Sequence, residues 1–281
     1  EAVTDKYNSM LQSPGTLMFW TTLVILLSFW ICSIGLQKGV EKIMKATMLC
    51  LLAIMVILAV RSITLTGASE GLEFYLIPNF DRVKEAGIGN VIFGAMSQSF
   101  FTLSIGMGGM AIFGSYLDKS RSLMGESLSI VLLDTFVALT AGLIVFPACF
   151  AFDVEPGAGP GLVFITLPNI FTQMPGGRFW GALFFLFLFF AALSTIVGVF
   201  ENIVSFGMDL FGFSRRKSVG INIVIIIVFS IPCILGFNVL AGLQPLGSGS
   251  TIMDLEDFLV SNNILPLGSV IYLMFCTHKN G

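Results

Sequence analysis

The protein has 281 residues, of which 56% are hydrophobic and 11% are charged, and its mean hydropathy is +0.94. A soluble domain is roughly one quarter charged, so this composition excludes an ordinary soluble enzyme, a disordered chain and a small disulfide scaffold. The formal net charge of -3 provides no basic surface for nucleic acid, and the sequence predicts an all-α integral membrane protein.

Apolar runs of about 20 residues, the length that crosses a bilayer as a helix, define the predicted transmembrane segments. Seven are found, at residues 16–36, 43–64, 89–117, 124–148, 179–208, 218–237 and 255–277. The chain opens on Glu1 rather than Met and stops at Gly281, soon after the last segment. We therefore expect residues 1–281 to be a single transmembrane domain that is truncated at both ends.

The basic residues near the ends of these segments predict the orientation. Most Lys and Arg residues lie on the side that includes Lys42, Lys45 and the Arg215–Lys217 run. The positive-inside rule assigns that side to the cytoplasm, in a multi-pass protein of the cell membrane. The two long loops, residues 65–88 and 149–178, are then predicted to lie outside.

The third segment contains glycines near its middle, within the stretch Gln98 to Gly109. Glycine weakens a helix, and an interrupted helix frees backbone groups that lipid cannot satisfy, so such a break is tolerated where it lines a cavity. One half-helix is predicted to end near Phe101–Thr102 and offer carbonyls to a cation, and the other to start near Gly108. The alternative is close packing of helices through small residues.

Three carboxylates, those of Asp134, Glu201 and Asp257, lie within predicted segments. Charges are costly in lipid, so acids there usually face a polar interior and mark an ion or substrate path. Asp134 has no nearby Lys or Arg in the sequence, which favours a metal cation or a proton as its partner. A protonated, hydrogen-bonded Asp134 is the alternative. Glu201 and Asp257 lie nearer the segment ends, so for them the alternative of a position near the membrane interface is stronger.

Two adjacent hydroxyl residues, Ser194 and Thr195, interrupt a run of Phe and Leu in the fifth segment. Hydroxyl oxygens together with a helix carbonyl are hard ligands of low charge, which suit Na⁺ better than a transition metal. Ser and Thr also commonly bond back to the helix backbone, so this signal gains weight only beside the broken segment and Asp134.

Several spaced motifs, in the right order, resemble the neurotransmitter:sodium symporter family, whose bacterial members have a leucine-transporter-like fold. Residues 98–109, followed by residues 114–116, are similar to the family's broken sixth helix. Residues 39–42 resemble the start of helix five, residues 161–168 the re-entrant fourth extracellular loop, and residues 191–195 the sodium motif of helix eight. The resemblance covers essentially the whole chain and implies family helices four to ten.

The resemblance implies a domain plan. Residues 16–64 would be the last two helices of the first repeat and residues 65–88 an extracellular loop. Residues 89–277 would be the second inverted repeat, with one helix unwound at the midplane and a re-entrant loop at residues 149–178. Family helices one to three would be missing, so the chain would hold half of a site.

The resemblance also implies roles for individual residues. The substrate pocket would be lined by Phe101, Thr102, Ser104, Met107, Thr195 and Val199. The first Na⁺ site would use Thr102 and Asp134, and the second would use the Ala191 carbonyl, Ser194 and Thr195. The outer gate would comprise Phe101 and Asp257, and the inner gate Ser115, Tyr116 and Asp209.

The resemblance further implies the cofactor and the substrate. Many family members have Asn at the position of Asp134, and animal members use chloride beside it. An Asp there would supply the negative charge internally, so we expect two Na⁺ sites and no chloride requirement. The substrate is expected to be a small zwitterion, and the apolar walls at Phe101, Met107 and Val199 favour a hydrophobic or aromatic amino acid.

Two other classes of protein remain open on the sequence. A seven-helix receptor, light-driven pump or channel-like protein would fit the number of segments, but no segment has a Lys in its interior to hold retinal, since Lys45 lies at the end of segment 43–64. A scaffold or non-functional transporter fragment would fit the truncated ends but does not require the retained site residues. A transporter rather than an enzyme is therefore expected.

Overall fold

The fold is all-helical in a computed structural model that describes residues 2–35, 41–115, 117–118, 120–154, 156 and 159–278. Across those residues no strand occurs. The helices are α1 (Ala2–Leu11), α2 (Pro14–Ile34), α3 (Glu41–Ile63), α4 (Ala68–Leu76), α5 (Phe80–Ala86), α6 (Ile88–Thr102), α7 (Gly109–Ser115), α8 (Leu123–Ala151), α9 (Gly159–Gly161), α10 (Leu167–Gln173), α11 (Gly177–Phe211), α12 (Arg215–Gly236), α13 (Ile252–Leu259) and α14 (Leu265–Thr277). Two π-helical turns, Leu162–Thr166 and Val260–Ile264, directly precede α10 and α14.

Six stretches of the described chain are long and apolar enough to cross a membrane: α2, α3, α8, α11, α12 and the combined Ile252–Thr277 stretch. They coincide with six of the seven predicted segments. The remaining predicted segment, residues 89–117, is divided into α6 and α7, and neither half reaches the length of a span. The chain is thus a multi-pass membrane protein with one interrupted segment.

Each π-helical turn is explained by a proline in the first turn of the helix that follows. Pro168 stands at the start of α10 and Pro266 at the start of α14. A proline ring clashes with the carbonyl four residues earlier and cannot donate a hydrogen bond to it. Those carbonyls belong to Phe164 and Asn262, which both lie inside the π-helical turns, where the wider backbone makes room for the ring.

The chain folds as two compact units, each built from three stretches. The first unit comprises Glu1–Met10, Ile34–Asn79 and Leu132–Ile196, and the second comprises Leu11–Ser33, Phe80–Val131 and Val197–Gly281.

An apolar core stabilises the first unit. It joins buried side chains of α3, α8, α10 and α11, and Met55, Cys149 and Ile170 are completely shielded. The Ser62 hydroxyl donates a hydrogen bond of 2.7 Å to the Ile144 carbonyl inside this core. This hydrogen bond fixes α3 against α8 without leaving a buried polar group unsatisfied.

The second unit is centred on the contact of α2 with α11. Phe29 stacks on Phe200 with ring centroids 4.2 Å apart, and the Cys32 thiol donates to the Val197 carbonyl at 3.7 Å. These two contacts hold α2 against the second half of α11, which carries the polar groups described below.

Candidate ion and substrate site

The interruption between α6 and α7 has the form that the glycines predict. The first half-helix ends at Thr102 and the second begins at Gly109, and the residues between them form turns. Ser104 and Gly108 have positive φ angles of 52° and 81°, which end one helix and start the next. The predicted break is confirmed.

Close packing, the alternative interpretation of the glycines, also occurs at the break. A Cβ atom on Gly106 would collide with the backbone of Leu265, and a Cβ atom on Gly268 would collide with the Gly106 carbonyl. The break therefore lies directly against the backbone of α14. The two interpretations are both correct, because the same segment is unwound and closely packed.

The unwound segment is also held from α11. The Asn202 side chain donates from Nδ2 to the Met107 carbonyl at 3.1 Å. Beside this bond lies a cavity of about 590 Å³. Its wall includes Met107, Gly108, Asn202, Asp209 and Tyr272 together with apolar side chains.

The predicted substrate residues of the second unit lie on or near the break. Phe101 and Thr102 are exposed at the end of α6, and Ser104 and Met107 are half-buried in the unwound segment. Val199 is half-buried on α11. The Phe101 carbonyl accepts a hydrogen bond of 3.1 Å from the Ser104 backbone N–H, so one of its lone pairs is already used.

The predicted gate residues that the structure describes lie in the second unit. Asp257 is exposed on α13 and accepts a hydrogen bond of 2.7 Å from the Ser261 hydroxyl. Asp209 is exposed and lines the cavity beside the break. The Ser115 hydroxyl bonds back to the Ile112 carbonyl at 2.7 Å. Tyr116 lies outside the described residues, as do residues 39–40 of the helix-five motif.

The three oxygen groups predicted for the second Na⁺ site meet within one turn of α11. The Ser194 and Thr195 hydroxyls both donate to the Ala191 carbonyl, at 2.8 and 3.1 Å. Ser194 is buried and Thr195 is exposed. The hydroxyls thus bond back to the helix, as Ser and Thr often do, and this bonding gathers three hard oxygens at one point.

The two residues predicted for the first Na⁺ site belong to different units. Thr102 is the last residue of α6, in the second unit, and Asp134 is half-buried on α8, in the first. Their joint role remains a prediction from sequence.

Glu201 is a buried carboxylate that the predicted site does not include. Its side chain is completely shielded within the protein. Arg215 explains this burial: its Nη2 atom donates to Glu201 Oε2, and its Nε atom donates to the Cys32 carbonyl at 2.7 Å. A charge can be buried in this way when it is paired and hydrogen-bonded.

A signal for this ion pair was present in the sequence. Only residues 212–214 separate α11 from α12, so Arg215, the first residue of α12, returns alongside the end of α11. Glu201 lies about three helical turns before that end, and the Arg215 side chain reaches back to it.

The comparison with known families tests the resemblance that the motifs suggest. The sequence matches the sodium:neurotransmitter symporter family over residues 3–264. The chain belongs to this family. Membership confirms the resemblance and sets aside the receptor and light-driven pump classes, and it agrees with the expectation of a transporter rather than an enzyme.

Relatives of this symporter family member occur in bacteria and animals. The chain is 34% identical to an uncharacterized sodium-dependent transporter, YhdH, of Bacillus subtilis, over 97% of this chain and 59% of that protein. It is 29% identical to the sodium- and chloride-dependent taurine transporter of Rattus norvegicus, over 95% of this chain and 44% of that protein. The chain therefore spans about half the length of these relatives.

A solved structure supports the same fold. A crystal structure of MhsT in complex with L-phenylalanine is similar to this symporter family member with a TM-score of 0.87 and 39% identity. The match covers 97% of this chain and 61% of that chain. The leucine-transporter-type fold expected from the motifs is confirmed.

Proposed function

We propose that the full-length protein is a secondary transporter that couples Na⁺ entry to the uptake of an amino acid or related small amine. The observation that carries the proposal is the meeting of the Ser194 and Thr195 hydroxyls at the Ala191 carbonyl. Sodium dependence is part of the names of its relatives. The broken α6–α7 segment adds backbone groups that are freed from helical bonding and available to a ligand.

In this proposal, Ala191, Ser194 and Thr195 form the second Na⁺ site. When Na⁺ binds, the hydroxyl protons turn away from the carbonyl and all three oxygens face the ion. The geometry requires little rearrangement, because the hydroxyl oxygens already lie 2.8 and 3.1 Å from the carbonyl oxygen. Thr102 and Asp134 are assigned to the first Na⁺ site by resemblance alone.

The proposed substrate is a hydrophobic or aromatic amino acid. Phe101, Met107 and Val199 supply apolar surface, and the MhsT structure contains L-phenylalanine. The backbone groups and hydroxyls around Thr102 and Ser104 would bind its charged ends. Asp257 and Asp209 are assigned to the outer and inner gates, respectively.

Coupling to sodium is tested by uptake of radiolabelled L-phenylalanine and L-leucine into proteoliposomes that contain the full-length protein. We expect accumulation only with an imposed inward Na⁺ gradient. Exchanging both Ser194 and Thr195 for Ala should raise the half-saturating Na⁺ concentration by about tenfold or more, because contacts with a charged group are lost. Equal uptake in choline medium would reject the coupling.

Ser230→Ala is a matched control for these substitutions. The Ser230 hydroxyl donates to the Ile227 carbonyl at 2.9 Å, three residues earlier, just as Ser194 donates to Ala191. Its removal should leave the Na⁺ dependence unchanged. If Ser194→Ala and Ser230→Ala behave alike, Ser194 only bonds back to its helix.

We also propose that Asp134 replaces chloride as the negative charge near the first Na⁺ site. The wild type should then transport equally well in chloride and in gluconate. Asp134→Asn should bind Na⁺ poorly, and chloride should partly restore its transport, since a diffusible anion supplies the lost charge. A strict chloride requirement in the wild type, or a fully active Asn variant in gluconate, would contradict this role.

A further inference from the structure

The carbonyl of Met107 needs a hydrogen-bond donor that its own helix does not provide. Met107 lies in the unwound segment, two residues before α7 begins at Gly109. A peptide group that is withdrawn from water without a partner carries a large penalty. The donor is the Asn202 amide on α11, at 3.1 Å, within the same compact unit.

The next residue, Gly108, is confined by α14. It is buried and has a φ angle of 81°, which side chains other than that of glycine rarely adopt. The Tyr272 hydroxyl lies 2.6 Å from the position that a Cβ atom on Gly108 would occupy. The peptide between Met107 and Gly108 is thus held by a hydrogen bond to one helix and by close contact with another.

We propose that Asn202 is a positioning residue that fixes the conformation of the unwound segment between α6 and α7. Its amide sets the direction of the Met107 carbonyl, and the carbonyl direction determines how the neighbouring peptide groups are presented. This role rests on the proposed function in one respect: the fixed peptide groups are those that would bind the transported amino acid.

The residue type at position 202 suits this task. Asparagine presents two N–H donors on a short side chain, so little conformational freedom is lost when it holds a carbonyl. Neighbouring Glu201 contacts Arg215 instead, so the two adjacent polar side chains of α11 serve different partners. Without the amide, the segment would populate other conformations, and the apparent affinity for substrate would fall with the fraction that remains competent.

Hydrogen exchange of the backbone amides in the full-length protein tests the proposal directly. In Asn202→Leu and Asn202→Ala, peptides that cover residues 105–110 should exchange about threefold to tenfold faster than in the wild type. Asn202→Gln keeps the donor and should retain most of the protection. The KM for amino-acid uptake should rise by a similar factor while the maximal rate is largely retained.

Asn238→Leu is the matched control. Asn238 also donates from Nδ2 to a main-chain carbonyl distant in sequence, that of Leu11 at 3.0 Å, in the same unit but away from the break. Losing the hydrogen bond of Asn238 should leave both the hydrogen exchange of residues 105–110 and the KM for uptake unchanged. The control thus shows whether an effect comes from losing any long-range hydrogen bond of an asparagine side chain or specifically from losing the bond between Asn202 and the Met107 carbonyl.

Each outcome decides one question. Unchanged exchange at residues 105–110 in both Asn202→Leu and Asn202→Ala would overturn the positioning role, as would an equal acceleration throughout the protein. If Asn202→Leu fails to fold, the smaller Asn202→Ala variant decides. Faster local exchange in a protein that shows no sodium-coupled uptake would uphold the positioning role and reject the proposed function.

Discussion

The core of the first unit and the buried centre of the second unit are stabilised by different kinds of contact. The first is an apolar cluster in which side chains such as Met55 and Ile170 are completely shielded. The second buries a carboxylate, Glu201, against Arg215, and it packs the backbone of α6–α7 onto α14. An apolar core tolerates substitutions that conserve side-chain volume. Replacing one member of a buried ion pair, or a glycine in a close backbone contact, is not tolerated in the same way.

The unwound segment and the buried ion pair lie in the same unit. Polar bonds and glycine contacts have strict geometry, so they can define one arrangement of a backbone whose helical hydrogen bonding is interrupted. The first unit instead carries the ligands predicted for the second Na⁺ site, Ala191, Ser194 and Thr195, on the continuous helix α11. Three substitutions test the contrast.

The largest effect is expected for Arg215→Met. Removing one partner of a buried pair leaves the other charge uncompensated, which typically lowers the free energy of unfolding by about 3–5 kcal/mol. Glu201 Oε1 is already buried without a hydrogen-bond partner among the residues described, and the nearby Ser205 hydroxyl, a neutral donor, cannot replace the charge of Arg215. Equilibrium unfolding in mixed micelles measures the loss.

The exposed neighbour Arg216 is the control for this substitution, and Arg216→Met should change stability by less than about 0.5 kcal/mol. The double variant Glu201→Leu/Arg215→Met should recover most of the loss, because no buried charge remains. Equal stability of the two single Arg variants would show that the pair contributes nothing.

An intermediate effect is expected in the apolar core. Met55→Ala should lower the free energy of unfolding by about 2–5 kcal/mol through the cavity that it creates. Met55→Leu should cost less than about 1.5 kcal/mol, because the volume is nearly conserved. Val56, whose side chain is 48% exposed, is the control, and Val56→Ala should have little effect. A large loss of unfolding free energy in Met55→Leu would contradict the view that the apolar core of the first unit tolerates substitutions that conserve volume.

The smallest of the three effects is expected for Gly268→Ala. The new methyl group would meet the Gly106 carbonyl, so stability should fall by about 1–3 kcal/mol. Gly94→Ala is the control, since nothing lies within 4 Å of its Cβ position on α6. It should stabilise the protein by up to about 1 kcal/mol through helix propensity. The two glycine variants are thus expected to differ in sign, and a shared sign would refute the contact.

The sequence predicts most of the fold because hydrophobicity and length determine membrane segments. Six segments appear as continuous stretches, and the break lies between Thr102 and Gly109, where the glycines and hydroxyls indicate it. The sequence predicts a loop at residues 65–88, where the structure has the short helices α4 and α5. Contacts distant in sequence, such as the hydrogen bond from the Tyr75 hydroxyl of α4 to the Leu139 carbonyl of α8, are what the local sequence does not show.

The candidate site is predicted less completely because its contacts join residues distant in sequence. Local spacing brings Ser194 and Thr195 to Ala191, since residues three and four apart share a helix face. No local rule pairs Asn202 with Met107 or brings Gly268 to Gly106. Such contacts depend on how helices pack, and no local pattern in the sequence shows that packing.

The π-helical turn Val260–Ile264 sets the angular phase of everything that follows it in the last span. Each residue of an α-helix advances the side-chain direction by about 100°, so one residue more or fewer rotates the rest of the helix by that angle. The π-helical turn therefore determines that the face of α14 with Gly268 and Tyr272 is the one that contacts the unwound segment. Deleting a single residue from Val260–Ile264 would therefore direct a different stripe of α14 at the break, although every side chain of α14 would be kept.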